Sequence, residues 1–146
     1  MLPFISLVYH LHIIINVMKR HKIALPVWSD QICTVLDFAQ SLLVVEVDGI
    51  SEISRKYFAL TGEPALFRAR RLRNLGAQTL ICGSLSYPLF TILRSYGINV
   101  IPYICGHVDE VLHAYVKGNL SQSYFRLPGC PPYPKGRRGR LRRWIL

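Results

Sequence analysis

At 146 residues the chain can hold one domain with a real hydrophobic core, and its 51% apolar content lies on the high side of globular usage. Four cysteines without a paired Cys-x-x-Cys spacing argue against a secreted disulfide framework and suit a reduced compartment, where thiols stay available for metal or redox chemistry. The net charge of +10 is uneven: Lys135, Arg137, Arg138, Arg140, Arg142 and Arg143 supply six positive charges, so the rest of the chain carries +4.

The N-terminal stretch, Met1 to Val17, is apolar but interrupted by His10, His12 and Asn16. It lacks the basic start and small-residue cleavage site of a signal peptide, and it falls short of the ~20 apolar residues of a membrane span. Met18-Lys19-Arg20-His21-Lys22 then opens onto a strand. Met18 is therefore the expected native start, with residues 1–17 translated in error from upstream codons or disordered. N-terminal sequencing of protein from the native locus is expected to begin at Met18; a product starting at Met1 and sedimenting with membranes would make the segment an anchor.

Lys22 to Val27 reads as a short strand with Pro26 near an edge or bulge. Trp28 to Gln31 reads as loop, followed by a short segment through Cys33 and Asp37-Phe38-Ala39. Leu42 to Val47 is continuous and β-branched, as a strand covered on both faces would be. Asp48-Gly49 predicts a hairpin returning through Ser51 to Leu60. Thr61-Gly62-Glu63-Pro64 starts a helix with Leu66, Ala69, Leu72 and Leu75 on its buried face and Gly76 beyond its end.

Thr79-Leu80-Ile81 then runs into Cys82-Gly83, and Val100 to Ile104 runs into Cys105-Gly106. Between them Leu85, Leu89, Ile92, Leu93 and Tyr96 follow helical spacing, with Ser84 or Ser86 as cap, Pro88 in the first turn and Gly97 at the end. A last helix opens at Asp109, runs through Val111, Leu112, Tyr115 and Val116, and stops at Gly118-Asn119. The expected class is α/β, with a five-stranded mixed sheet between helices. The domain is expected over residues 18–120, followed by a Pro/Gly/Arg-rich tail over 121–146 that is disordered after 130.

A right-handed βαβ crossover would bring both Cys-Gly turns to one sheet edge, where open α/β sheets bind ligands. Cys82 and Cys105 are the leading thiolate candidates. Cys33 reaches the same edge if its strand neighbours the one ending at Cys82; His107 adds an imidazole, and Cys130 could fold back as a lid. Soft thiolates with an imidazole suit zinc, copper(I) or iron–sulfur species. Gly83 and Gly106 would let backbone N–H groups turn toward an anionic ligand. The competing reading makes Cys82 and Cys105 small buried hydrophobes.

Arg68, Arg70, Arg71 and Arg73 crowd one helix and read as a solvated face, or else as a rim attracting an acidic partner or anionic ligand. Hydrolysis is poorly supported. The only acids are Asp30, Asp37, Glu46, Asp48, Glu52, Glu63, Asp109 and Glu110, mostly in turns or caps. Asp37 could orient a loop N–H as well as hold a metal. P-loop, GxGxxG and GxSxG motifs are absent, and nothing marks an oxyanion hole beside a Cys105 pair with His107 or His113.

The opening Lys22-Ile23-Ala24-Leu25-Pro26-Val27, then Val35-Leu36-Asp37-Phe38-Ala39 and Leu43-Val44-Val45, resembles the dinitrogenase iron–molybdenum cofactor biosynthesis family. The likeness continues through Arg70-Arg71-Leu72, Leu80-Ile81-Cys82-Gly83, Gly97 to Pro102, Cys105-Gly106, Val108 to Leu112 and Phe125 to Cys130. It covers about Met18 to Cys130. Where relatives have Ser-Pro, this chain has Cys33-Thr34 before Val35-Leu36-Asp37. The resemblance implies a ribonuclease H-like three-layer α/β/α fold, strand order 3-2-1-4-5, without nuclease activity. Members of the NifX and NafY type, and the C-terminal part of some NifB proteins, bind iron–sulfur precursors or iron–molybdenum cofactor and hand them on.

The expectation is thus a cytoplasmic, non-catalytic carrier of an iron–sulfur cluster or iron–molybdenum cofactor precursor, exchanging cargo with a donor or acceptor protein and not with a membrane. The alternative is an interaction module whose basic tail contacts nucleic acid or an acidic partner.

Overall fold

The computed structural model describes residues 20–121 and 123–129; the N-terminal segment, Cys130 and the basic tail lie outside the described residues. Arg20–Trp28 (β1) and Ser41–Asp48 (β3) pair antiparallel from Arg20 opposite Asp48 to Pro26 opposite Leu42. Ser51–Ala59 (β4) returns along β3 after a two-residue turn, with Gly49 in the left-handed region at φ 63°. A residue with a Cβ would be strained there, which is why the Asp-Gly signal was legible.

A second turn was not. Gln31–Ile32 (β2) folds back on β1, Trp28 opposite Gln31, with Ser29 at φ 48° and Asp30 at φ 65° between them. Positive φ at both central positions is the type I′ pattern, normally carried by Asn-Gly, so Ser-Asp read as plain loop. Among the described residues the sheet therefore has six strands, the five expected and β2. Thr79–Ile81 (β5) and Asn99–Ile101 (β6) complete it in the order β4-β3-β1-β5-β6, with β2 pairing β1 off that path. The β1–β5 and β5–β6 pairs are parallel, and the others antiparallel.

Among the described residues three helices cover the sheet: Ala65–Asn74 (α1), Tyr87–Ser95 (α2) and Val108–Val116 (α3). Alternate strand residues feed two apolar clusters, because successive side chains of a strand point to opposite faces. Ala24, Leu42, Val44 and Leu80 pack with Ala69 and Leu72 of α1 and Leu89 and Leu93 of α2. Ile23, Leu25, Leu43, Val45 and Ile81 pack with Val111 and Leu112 of α3.

The buried face of α1 departs from expectation. Leu66 is exposed, while Arg68 is only 4% exposed. The Arg68 guanidinium donates to the backbone carbonyls of Ala39 at 2.7 Å, Glu63 at 2.8 Å and Leu36 at 3.3 Å. A buried charge needs such partners. Arg68 thereby fixes the 3-10 turn Leu36–Phe38 instead of belonging to a solvated arginine face.

Candidate cofactor-binding site

Three backbone segments converge beyond the carboxyl ends of β1, β5 and β6. The segment 33–35 lies beside the turn after β5: Ser84 donates to the Thr34 carbonyl through its N–H at 2.8 Å and its Oγ at 3.0 Å, and Leu36 N–H returns a bond to the Ser84 carbonyl at 2.9 Å. The Asp37 carboxylate accepts from the Ser86 N–H at 2.7 Å and the Ser86 hydroxyl at 2.5 Å. Ser86 in turn caps α2, its Oγ accepting from Leu89 N–H. Asp37 thus orients loop donors, the first of the two roles open to it in the sequence.

The second junction joins β2 to the loop before α3. Ile32 N–H donates to the Gly106 carbonyl and Val108 N–H to the Asp30 carbonyl, each at 2.9 Å, making Gln31 and His107 bridge partners. On the far side Cys105 N–H donates to the Phe125 carbonyl at 2.8 Å, and Leu127 N–H to the Tyr103 carbonyl at 2.8 Å. The loop carrying Cys105 is therefore held from both sides.

Between these junctions lies a cavity of about 430 Å³ whose wall includes Trp28, Cys33, Val35, Phe38, Cys105 and Gly106. That is within the range of small-ligand sites. Cys33 and Cys105 are both free thiols and half-buried. The Cys33 Sγ–H points to the Val35 carbonyl at 3.5 Å and the Cys105 Sγ–H to the Arg126 carbonyl at 3.3 Å. Burial pushes the Cys105 thiol up from its ordinary pKa. Trp28 and Phe38, 68% and 78% exposed, frame the mouth. Neither was singled out by sequence; aromatic side chains bounding a loop carry no periodic signal.

The other candidates fall differently. Cys82 is 0% exposed and belongs to the cluster under α1 and α2. Burial first, and then the negative Asp37, drive its thiol pKa far up. It does not line the cavity. Gly83 has a packing role: a Cβ there would lie 2.3 Å from the Thr34 carbonyl oxygen and 2.8 Å from that of Cys33. Only glycine admits that backbone contact, so this glycine faces protein and not the cavity. Gly106 does line the wall, at φ 126°. His107 caps α3, its Nδ1 accepting from Asp109 N–H at 3.2 Å, and is not part of the wall. Among the described residues no three His, Cys, Asp or Glu side chains are grouped to hold a metal ion.

Comparison with known proteins adds the family. Residues 19–118 match the family model described as dinitrogenase iron-molybdenum cofactor. No curated protein matches the chain. Among solved structures the protein PH0822 is similar at a TM-score of 0.66 and 17% identity, over 70% of this chain and 95% of that one. A candidate dinitrogenase from Methanocaldococcus jannaschii is similar at 0.61 and 19%, covering 71% and 95% of the two chains. The apo form of the orange protein from Desulfovibrio gigas is similar at 0.58 and 20%, covering 73% and 95%. At these identities the likeness shows a shared fold.

Proposed function

The chain belongs to the dinitrogenase iron-molybdenum cofactor family, and from that premise we propose that it is a carrier that binds an iron–sulfur or iron–molybdenum cofactor precursor without catalysing a reaction. The observation that carries this reading is the cavity holding Cys33 and Cys105 at the carboxyl edge of the parallel strands. Thiolates are the ligands that select soft metal ions and iron–sulfur species. Both thiols must lose a proton to act, so cargo uptake releases protons and strengthens as pH rises. The Gly106 backbone N–H is the candidate donor to the cargo's negative charge. Cys82 is assigned to the core beneath the site. His107 and Cys130 are supplementary ligand candidates, His107 because its imidazole follows the wall residue Gly106 directly.

The ribonuclease H-like three-layer α/β/α description, with strand order 3-2-1-4-5, is part of the same proposal. Numbering the five longer strands along the chain and setting β2 aside supports it, as do apolar clusters on both sheet faces. A cluster donor or acceptor protein is the proposed partner and the cytoplasm the proposed location. No helix of the described residues is long and apolar enough to cross a membrane. The alternative nucleic-acid or acidic-partner module rests on residues outside the described ones, and none of the described contacts favours it.

The test is anaerobic reconstitution of the full chain with iron and sulfide, with iron counting and an absorption spectrum. Stoichiometric iron and a thiolate-to-iron charge-transfer band are expected. Both should be lost in the Cys33→Ser, Cys105→Ser double variant and kept in Cys82→Ser. A double variant with full occupancy would remove the thiols from the site.

A further inference from the structure

The two cavity thiols also stand in a relation to each other. The Gln31–His107 bridge sets an antiparallel register between β2 and the loop after β6. Ile32 N–H donates to the Gly106 carbonyl at 2.9 Å, so Cys33 and Cys105 flank that bond on the side away from the bridge, with Gly106 at φ 126° turning the chain between Cys105 and His107. The backbone directions agree: Ile32 N–H points across to Gly106, whereas Cys33 N–H points away to the Pro26 carbonyl at 2.8 Å and Cys105 N–H away to Phe125. Such outward N–H groups match those of a non-hydrogen-bonded antiparallel pair, in which, in a regular ladder, opposed Cα atoms approach to about 4.5 Å and the side chains are closest.

Side-chain parity agrees as well. Ile32 and Ile104 both turn into the α3-side cluster, so the residues following each of them emerge on the opposite face. There both cysteines line the one cavity. The ideal separation for such a pair, about 4.5 Å, falls within the ~4.4–6.8 Å that a disulfide spans.

We propose that Cys33 and Cys105 form a reversible cross-strand disulfide, made by exchange with a low-molecular-weight disulfide, that closes the cavity to cargo. One cysteine thiolate attacks a sulfur of the oxidant RSSR, forming a protein–SR mixed disulfide and expelling one thiolate, RS⁻. The second cysteine thiolate attacks the protein sulfur of that intermediate, forms the Cys33–Cys105 bond and expels the second RS⁻. Two protein thiols are thereby oxidised by two electrons, RSSR is reduced to two RSH, and the two thiol protons end on the leaving groups. Formation of the bond is independent of the carrier reading; its effect on loading rests on it.

The experiment treats the anaerobic, metal-free full chain with oxidised glutathione, alkylates the remaining thiols and digests with trypsin. Cleavage at Lys22, Arg55, Arg73, Arg94, Lys117, Arg126 and Lys135 leaves each of the four cysteines on its own peptide. A linked pair of peptides 23–55 and 95–117 is expected, with two thiols lost and Cys82 retained. Glutathione adducts without that link, a link to the Cys130 peptide, or four intact thiols would overturn the proposal.

The oxidised and reduced proteins are then reconstituted with iron and sulfide. Iron in the oxidised protein is expected to fall to the level of the Cys33→Ser, Cys105→Ser variant and to return after reduction. If the bond forms but the reduced protein takes up no iron, the carrier reading fails and the redox site stands. If the reduced protein loads and no bond forms, the carrier reading stands and this proposal fails. If the bond forms and the oxidised protein loads fully, its gating role is overturned.

Discussion

The same dipeptide follows two neighbouring parallel strands, directly after β5 and three intervening residues after β6, yet Cys82-Gly83 and Cys105-Gly106 have opposite surroundings. After β5 the alternation of the strand simply continues: Leu80 packs under α1 and α2, Ile81 under α3, and Cys82 again under α1 and α2. After β6 the chain passes through Tyr103 at φ 65°, a left-handed residue that interrupts the extended phase. Ile104 then falls under α3, and Cys105 emerges half-buried in the cavity wall. The interruption puts Cys105 on the same sheet face as Cys82, and cover then separates them: Cys82 is fully buried in the cluster under α1 and α2, while Cys105 lies half-buried in the cavity wall. The glycines diverge likewise, one enforced by a neighbouring backbone and the other by its own φ.

The contrast can be broken most forcefully at the glycines. Gly83→Ala drives a methyl into two backbone carbonyls that cannot swing aside, and it is expected to cost about 3 kcal/mol or more by urea denaturation. Gly106→Ala meets only ordinary contacts at 3.6 and 3.7 Å, from Val111 and Phe125, and is expected to cost about 1–2 kcal/mol through its positive φ. Equal losses would erase the distinction.

Next comes pH. The Cys82 thiol is held protonated in the fold, while in the unfolded chain it ionises near about 8.5. A folded pKa above the unfolded one gives stability that is complete below about 8.5 and is lost as pH rises above it. The unfolded state then releases a proton the native state keeps, at about 1.4 kcal/mol per pH unit. Between pH 8.5 and 10 this amounts to roughly 2 kcal/mol, measurable as a falling denaturation midpoint and flattened in Cys82→Ala.

At the thiols themselves, Cys82→Ser buries a hydroxyl in an apolar cluster and should cost about 1–3 kcal/mol. Cys105→Ser should stay within about 0.5 kcal/mol by the same measurement. Comparable losses at both would place Cys105 in the core. Alkylation of the native protein sharpens the point: Cys33 and Cys105 should react, and Cys82 should wait for unfolding.

These residues also show what could be read from sequence. Strand–helix alternation, the Asp48-Gly49 turn and the Pro and Gly around α2 yielded the long elements, because each has a steric cause local to the chain. That the two Cys-Gly turns follow neighbouring parallel strands on one side of the sheet came from crossover topology. Which thiols stay accessible did not, since that depends on which elements cover them, and the face of Cys105 depends on Tyr103, whose conformation no glycine announces. For Cys82 a signal was present: it shares parity with Leu80, two residues earlier. Arg68 reads as solvated because it stands among arginines, and two of its three carbonyl partners lie about thirty residues away in the chain.

The exposed indole of Trp28 beside Cys33 and Cys105 has an optical consequence. The chain has one other tryptophan, Trp144, near its C-terminus. A coloured cargo in the cavity would sit within energy-transfer range of Trp28 and quench its emission. The protein would then report its own loading in real time, and a Trp144→Phe chain would isolate the signal.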